Sequence, residues 1–154
     1  MNKLLCLALL FVCVLFVAVR AETGEERYAK MCAQEGAVKH EKGFCYKIIT
    51  PSSNPLKPTA SSKVEVHYEG KLVDGTVFDS SYKRGETISF NLSNVIVAWQ
   101  LGLHQMNVGS TAELYCPPAV AYGSRPVGPI PANSHLFFKV ELFAVDGKKG
   151  KEEL

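Results

Sequence analysis

The sequence lacks most of the material from which reactive and metal-binding sites are built. It has no Cys-x-x-Cys pair and no His/Cys cluster, which argues against a zinc site or a thioredoxin-like redox centre. No Ser/His/Asp or Cys/His array stands out, so no covalent nucleophile and no cofactor are expected. There is no basic stripe: lysine and arginine are interleaved with aspartate and glutamate, and nothing offers a nucleic-acid surface. Internal repeats are missing, and tryptophan occurs once. What remains is ordinary for a globular chain, with 47% apolar and 21% charged residues and a length that suits one domain.

The apolar residues are unevenly spread. Leu4 to Val19 is a run of sixteen residues without a charge, preceded by Lys3 and followed by Val19-Arg20-Ala21. A basic start, an apolar stretch and a small-x-small end describe a secretory signal peptide, with cleavage expected after Ala21. The run exceeds the usual core of roughly 7–15 residues and falls short of the ~20 that span a bilayer. The alternative is an uncleaved anchor, the one case in which a membrane would be a partner. Cleavage would remove Lys3 and Arg20 and bring the 17 basic residues level with the 15 acidic ones.

Three of the five cysteines would survive cleavage: Cys32, Cys45 and Cys116. An oxidising compartment permits disulfides, and an odd count leaves one thiol over. Cys32 and Cys45 are close in sequence and lie outside the later strand pattern, so they are the expected pair. The alternative is three free thiols that fill space as small hydrophobes. At the far end, Lys151-Glu152-Glu153-Leu154 differs by one methylene from the Lys-Asp-Glu-Leu address of the endoplasmic reticulum. The lumen of that compartment is the expected location. A merely solvated tail and a secreted protein are the alternatives.

Between these ends, Thr23-Gly24-Glu25-Glu26 has the form of a capping box, which predicts a short helix running to about Glu35 and closed by Gly36. Tyr28, Met31 and Cys32 would form its apolar face. Phe44 to Ile49 reads as a strand. Lys63 to Glu69 alternates, with Val64, Val66 and Tyr68 on one face and charged residues and His67 on the other. Asp74-Gly75 marks a tight turn before a strand at Thr76 to Phe78. Ile88 to Leu92 reads as another strand. Ser93 or Asn94 is placed to cap a short helix carrying Val95, Ile96, Trp99 and Leu103. Ala112, Leu114 and Cys116 share a strand face. Pro117 to Pro131 holds five prolines and reads as a long stiffened loop. The last strand, His135 to Phe143, turns Leu136, Phe138, Val140 and Leu142 to one side. His67, His104 and His135 fall on outward positions or loops and are expected to face solvent. Strands with one apolar face and a single mid-chain helix to cover them predict an α+β fold with an antiparallel sheet.

Seven strings occur in one order: Val66-His67-Tyr68-Glu69-Gly70, Asp74 to Ser81, Val95-Ile96-Val97-Ala98-Trp99, Gln105 to Gly109, Ala121-Tyr122-Gly123, Ile130-Pro131, and Leu136 to Leu142. Together they resemble the FKBP family of peptidyl-prolyl cis/trans isomerases, in particular its secreted, macrophage-infectivity-potentiator-like members. The resemblance implies a half-open antiparallel sheet wrapped around a short helix, over residues 44–145. A signal peptide (1–21) and a helical segment (22–43) would precede it, and a flexible tail (146–154) would follow.

The resemblance also implies a pocket between helix and sheet, taking proline-containing polypeptides and macrolides such as rapamycin. By position its polar members would be Tyr68, Asp79 and Tyr122. Phe78, Arg84, Ile88 and Val95 would line it together with Ile96, Trp99, Ile130 and Phe138, with Trp99 as the floor. Tyr122 would donate to the substrate carbonyl and the Ile96 N–H would hold the chain beyond proline. Asp79 would either sit near the twisting carbonyl carbon or fix its neighbours, with Arg84 and Tyr68 as its partners. Such a pocket suits the reaction: rotating an X–Pro bond crosses a barrier of roughly 18–20 kcal/mol, and the twisted amide has lost the charge separation of the planar one. A dry aromatic site solvates the planar dipole poorly and so favours the twisted state.

The sequence departs from the family pattern at Ala98, where glycine is usual, at Pro129 and Ala132 in the proline-rich loop, and at Ile88, which replaces an aromatic residue. Asn91-Leu92-Ser93 is a glycosylation sequon, available only to a chain that enters the secretory pathway.

Overall fold

The computed structural model describes residues 20–149, so the expected signal run up to Val19 and the tail from Gly150 lie outside the described residues. In chain order the elements are α1 (Gly24–Cys32), β1 (Ala37–Lys39), β2 (Cys45–Thr50), β3 (Lys63–Lys71), β4 (Val77–Ser80), α2 (Ser81–Arg84), β5 (Ile88–Asn91), α3 (Val97–Leu103), β6 (Thr111–Cys116), β7 (Leu136–Val145) and β8 (Lys148–Lys149). The strands pair antiparallel in the order β1-β2-β6-β7-β3-β4, with β5 also on β3 and β8 on β7. This is the α+β architecture expected, an open antiparallel sheet with a short helix laid across one face.

Alternation decides which face is buried. Val64, Val66 and Tyr68 of β3 point inward and meet Val145, Leu142 and Val140 of β7 in register. Leu114 of β6 faces Phe138 in the same layer. α3 closes over this layer with Ala98, Trp99, Gly102 and Leu103 buried. Burying a leucine such as Leu103 or Leu114 stabilises by roughly 1.5–3 kcal/mol, so a few such residues fix the helix in place. Gly102 permits the close approach: a methyl there would stand 2.7 Å from Leu114 Cδ2. Ala98 is fully buried, and its methyl is absorbed into the core where the family usually carries none.

The opposite face is half covered. α1 lies over the end carrying Cys45, Tyr115 and Phe137, with Tyr28 buried between them. The capping box is present as read: Thr23 Oγ1 accepts from the Glu26 N–H, and Glu26 accepts from the Thr23 N–H. Arg27 stacks 5.0 Å from the Phe137 ring and donates to the Val73 carbonyl at 2.8 Å. Cys32 and Cys45 form a disulfide that ties α1 to β2, and Cys116 is a buried free thiol.

Three expectations change, and one strand is added. α1 ends at Cys32 with Ala33 as its C-cap, earlier than Glu35, because the disulfide and the turn into β1 take the chain away. β1 itself was invisible in the sequence; three residues are too few to show a period. Neither Ser93 nor Asn94 caps α3. They belong to a short 3-10 turn, and Ile96 is the N-cap without any side-chain hydrogen bond. The three histidines do not stand free in solvent. His67 and His135 are half-buried in contacts with Tyr82 and Glu25, and His104 sits half-buried at the C-cap of α3.

Candidate active site

Between α3 and the inward face of the sheet lies a cavity of about 440 Å³, within the range of roughly 300–1,000 Å³ usual for small-ligand sites. Its floor is Trp99, 5% exposed. The rings of Tyr68 and Phe138 meet the indole edge-on at 5.3 and 5.2 Å, and Phe90 leans on it at 5.5 Å. Phe78 stands edge-on to Phe138 at 5.6 Å. Edge-to-face contacts hold aromatic side chains in fixed orientations, so the apolar wall is preformed. Gly70 is part of that wall: a methyl there would run into the Phe78 ring and stand 2.9 Å from Phe138 Cε1.

One carboxylate faces this apolar space. Asp79, next to the end of β4, accepts from the Tyr68 hydroxyl through Oδ2, and accepts from Arg84 Nη1 through Oδ1 at 2.5 Å. The Arg84 guanidinium also stands 5.9 Å from the Tyr68 ring. Burial works to raise the Asp79 pKa, but the hydrogen bonds from Tyr68 and Arg84 and the arginine charge outweigh it and hold the carboxyl below its ordinary value. Burial, together with the Asp79 carboxylate, pushes the Tyr68 hydroxyl up. The Tyr122 hydroxyl at the mouth is raised by burial first and Asp79 second. At neutral pH the site therefore presents an ionised carboxylate and two protonated phenols.

Nine of the eleven expected site residues line the cavity: Tyr68, Phe78, Asp79, Ile88, Val95, Ile96, Trp99, Tyr122 and Phe138. Arg84 does not line it; the short α2 turns its side chain onto Asp79, so it acts on the carboxylate from outside. Ile130 is not on the wall either. Its N–H and carbonyl pair with Val127 across a tight loop, and this drives its side chain into the core. Two wall residues were missed, Phe90 and Asn94. Phe90 was recoverable, since alternation from Ile88 puts both on the same side of β5. Asn94 had no signal, because it sits in the 3-10 turn that sequence reading took for the start of the helix.

At the top of the cavity, the Ile96 N–H precedes the first turn of α3 and finds no acceptor among the described residues. No group of three or more metal-ligating side chains converges among the described residues.

The family signature of FKBP-type peptidyl-prolyl cis-trans isomerases matches residues 54–143, the segment that builds this cavity. The chain belongs to that family. FK506-binding protein 2 of Debaryomyces hansenii is 48% identical over 101 residues, covering 64% of this chain and 75% of the relative. The isomerase FkpA of Aeromonas hydrophila is 43% identical over 123 residues, covering 80% of this chain and 46% of the relative. The crystal structure of FkpA from Escherichia coli superposes with a TM-score of 0.76 at 39% identity, over 79% of this chain and 57% of that one. The chain thus spans about half the length of the FkpA-type relatives it matches. Within this FKBP-type domain five of the seven strings meet at the cavity: the first two supply Tyr68, Phe78 and Asp79, the third Val95, Ile96 and the floor, the fifth Tyr122, and the last Phe138.

Proposed function

We propose that the protein is a peptidyl-prolyl cis/trans isomerase acting on proline-containing polypeptides. The observation that carries the reading is an aromatic-walled cavity with one clamped carboxylate at its edge. The pyrrolidine ring would lie on Trp99 between Phe78, Phe90 and Phe138. Tyr122 would donate to the carbonyl preceding proline and the Ile96 N–H would take the chain beyond it. Asp79, held by Arg84 and Tyr68, would face the rotating amide. None of these groups forms a covalent bond to substrate. They favour the twisted amide, which has lost its charge separation, over the planar one, and so lower the barrier. The measurement that tests this is a protease-free proline-isomerisation assay with and without rapamycin. Rapid turnover that rapamycin abolishes is expected. A folded protein without turnover would overturn it, and rapamycin binding alone would then leave a non-catalytic binding module.

The same reading extends to location. The Cys32–Cys45 disulfide, the apolar run from Leu4 and the Lys151-Glu152-Glu153-Leu154 end support action in the lumen of the endoplasmic reticulum on folding secretory proteins. Asn91 supports it too, as a glycan acceptor. It is exposed and pairs with exposed Lys63, on the side of β5 away from Phe90 and the cavity, so a glycan would leave the mouth open. Expressed whole in a eukaryotic secretory host, the chain should be retained and lose mass on glycosidase treatment. Deleting Lys151 to Leu154 should release it to the medium, and Asn91→Gln should abolish the mass change. Unchanged retention or unchanged mass would each reject the corresponding assignment.

A further inference from the structure

On its β4 side, β3 has a gap. The ladder to β4 covers Glu69 to Lys71, and the ladder to β5 covers Lys63 to Val66, leaving His67 and Tyr68 with no strand neighbour on that edge. The gap is filled by one hydroxyl. Ser81, fully buried at the start of α2, accepts the Tyr68 N–H at 2.8 Å and lies 3.3 Å from the Tyr68 carbonyl. A third contact completes it: His67 Nδ1 stands 2.8 Å from Ser81 Oγ. Through this hydroxyl the imidazole on the outer face of the sheet is joined to Tyr68, whose phenol faces inward to Asp79. It is also joined to α2, which carries Arg84 to the other oxygen of the same carboxylate.

A serine hydroxyl has one proton. In the neutral tautomer that carries its proton on Nε2, Ser81 donates to His67 Nδ1 and keeps a lone pair for the Tyr68 N–H. With an imidazolium, Nδ1 carries a proton and must donate, so the Ser81 proton swings to the Tyr68 carbonyl over the longer contact. Two donors then converge on Oγ. We infer that His67 is a positioning residue of the isomerase site: its hydrogen bond to Ser81 sets how Tyr68 and α2 meet at Asp79, and its protonation loosens that setting. This rests on the isomerase reading of the cavity.

Glu141 stands directly opposite His67 on β7, with Lys139 next on the same face. Tyr82 of α2 stacks on the ring at 4.6 Å and donates to Glu141 at 3.2 Å, and Phe143 meets the ring edge-on. Glu65 and Glu69 flank it on its own strand, and Glu69 pairs with Lys71 at 2.8 Å and lies near Lys83. Histidine is the side chain that ordinarily changes charge between about pH 5 and 8. Asp79 lies below that window, and Tyr68 and Tyr122 lie above it.

The experiment follows turnover by a protease-free assay from pH 8 to 5, together with the emission of Trp99, the chain's only tryptophan, which touches Tyr68. His67→Asn puts an uncharged acceptor where Nδ1 stood, and His67→Leu removes it; each is normalised to its own value at pH 8. In the unaltered protein turnover should fall about threefold on acidification, the effect of weakening one neutral hydrogen bond, with a matching step in emission. Both variants should lose both steps. A flat profile in the unaltered protein, or a step that persists in His67→Asn, would overturn the inference. If no turnover occurs at any pH the isomerase reading fails, and the emission step, read without substrate, still decides whether His67 governs the setting of Tyr68.

Discussion

At the scale of the residue, the site depends on how Asp79 is held. Two donors reach its two oxygens from different elements, β3 and α2, and this keeps it ionised beside an aromatic wall. Asp79→Val should lower kcat/KM about tenfold, the effect of losing a charge-assisted hydrogen bond at a half-exposed position. Tyr122→Phe removes one neutral donor from the rim and should cost only about threefold. Both are read in the isomerisation assay, and equal losses would contradict the division of roles. The pH sign follows from the direction of the shift. A carboxyl lowered in the folded state adds stability that is fully present above its unfolded value, and that is lost as pH falls through the folded one. The Asp79 clamp therefore holds throughout the neutral range and opens only below about pH 4. Rapamycin affinity of His67→Asn should accordingly stay level from pH 8 down to about 4 and fall below that.

At the scale of the element, β3 and α3 shape the cavity by close approach. Gly70 leaves the space into which the Phe78 and Phe138 rings turn. Gly70→Ala should push those rings toward the cavity and weaken rapamycin binding about tenfold, as an overpacking cost of roughly 1–3 kcal/mol would. Circular dichroism should show the sheet intact. Unchanged affinity would mean that the rings can give without entering the site. Elements with a strong local signal were legible: the alternation of β3 and β7, the capping box of α1 and the proline-rich loop. Those without one were not. The start of α3 is set by packing of Ile96 and Trp99 rather than by a capping side chain, so Ser93 and Asn94 misled. β1 exists because β2 offers it an edge.

At the scale of the whole molecule, the disulfide joins the helical segment to the sheet across a sequence separation of 13. Closing a loop of about that length stabilises by about 3 kcal/mol, so reduction should lower the melting temperature by roughly 10 °C. Because α1 covers the face opposite the cavity, isomerase activity at 25 °C should survive reduction. Loss of activity before loss of fold would show that α1 supports the site from behind.

Local pattern by itself determined the α+β class and the inward faces of β3 and β7, because these depend on period and spacing, which a chain carries before it folds. The family resemblance carried by the seven strings implied eleven site residues, of which nine line the cavity. Only the tertiary structure decided that Arg84, the expected partner of Asp79, stays off the cavity wall, that Ile130 turns into the core, that Asn94 completes the wall, and that His67 reaches Tyr68 through Ser81. Each of these is a meeting of segments distant in sequence or separated by a turn. Strand register and the gap between two ladders set such meetings, and no local pattern encodes them.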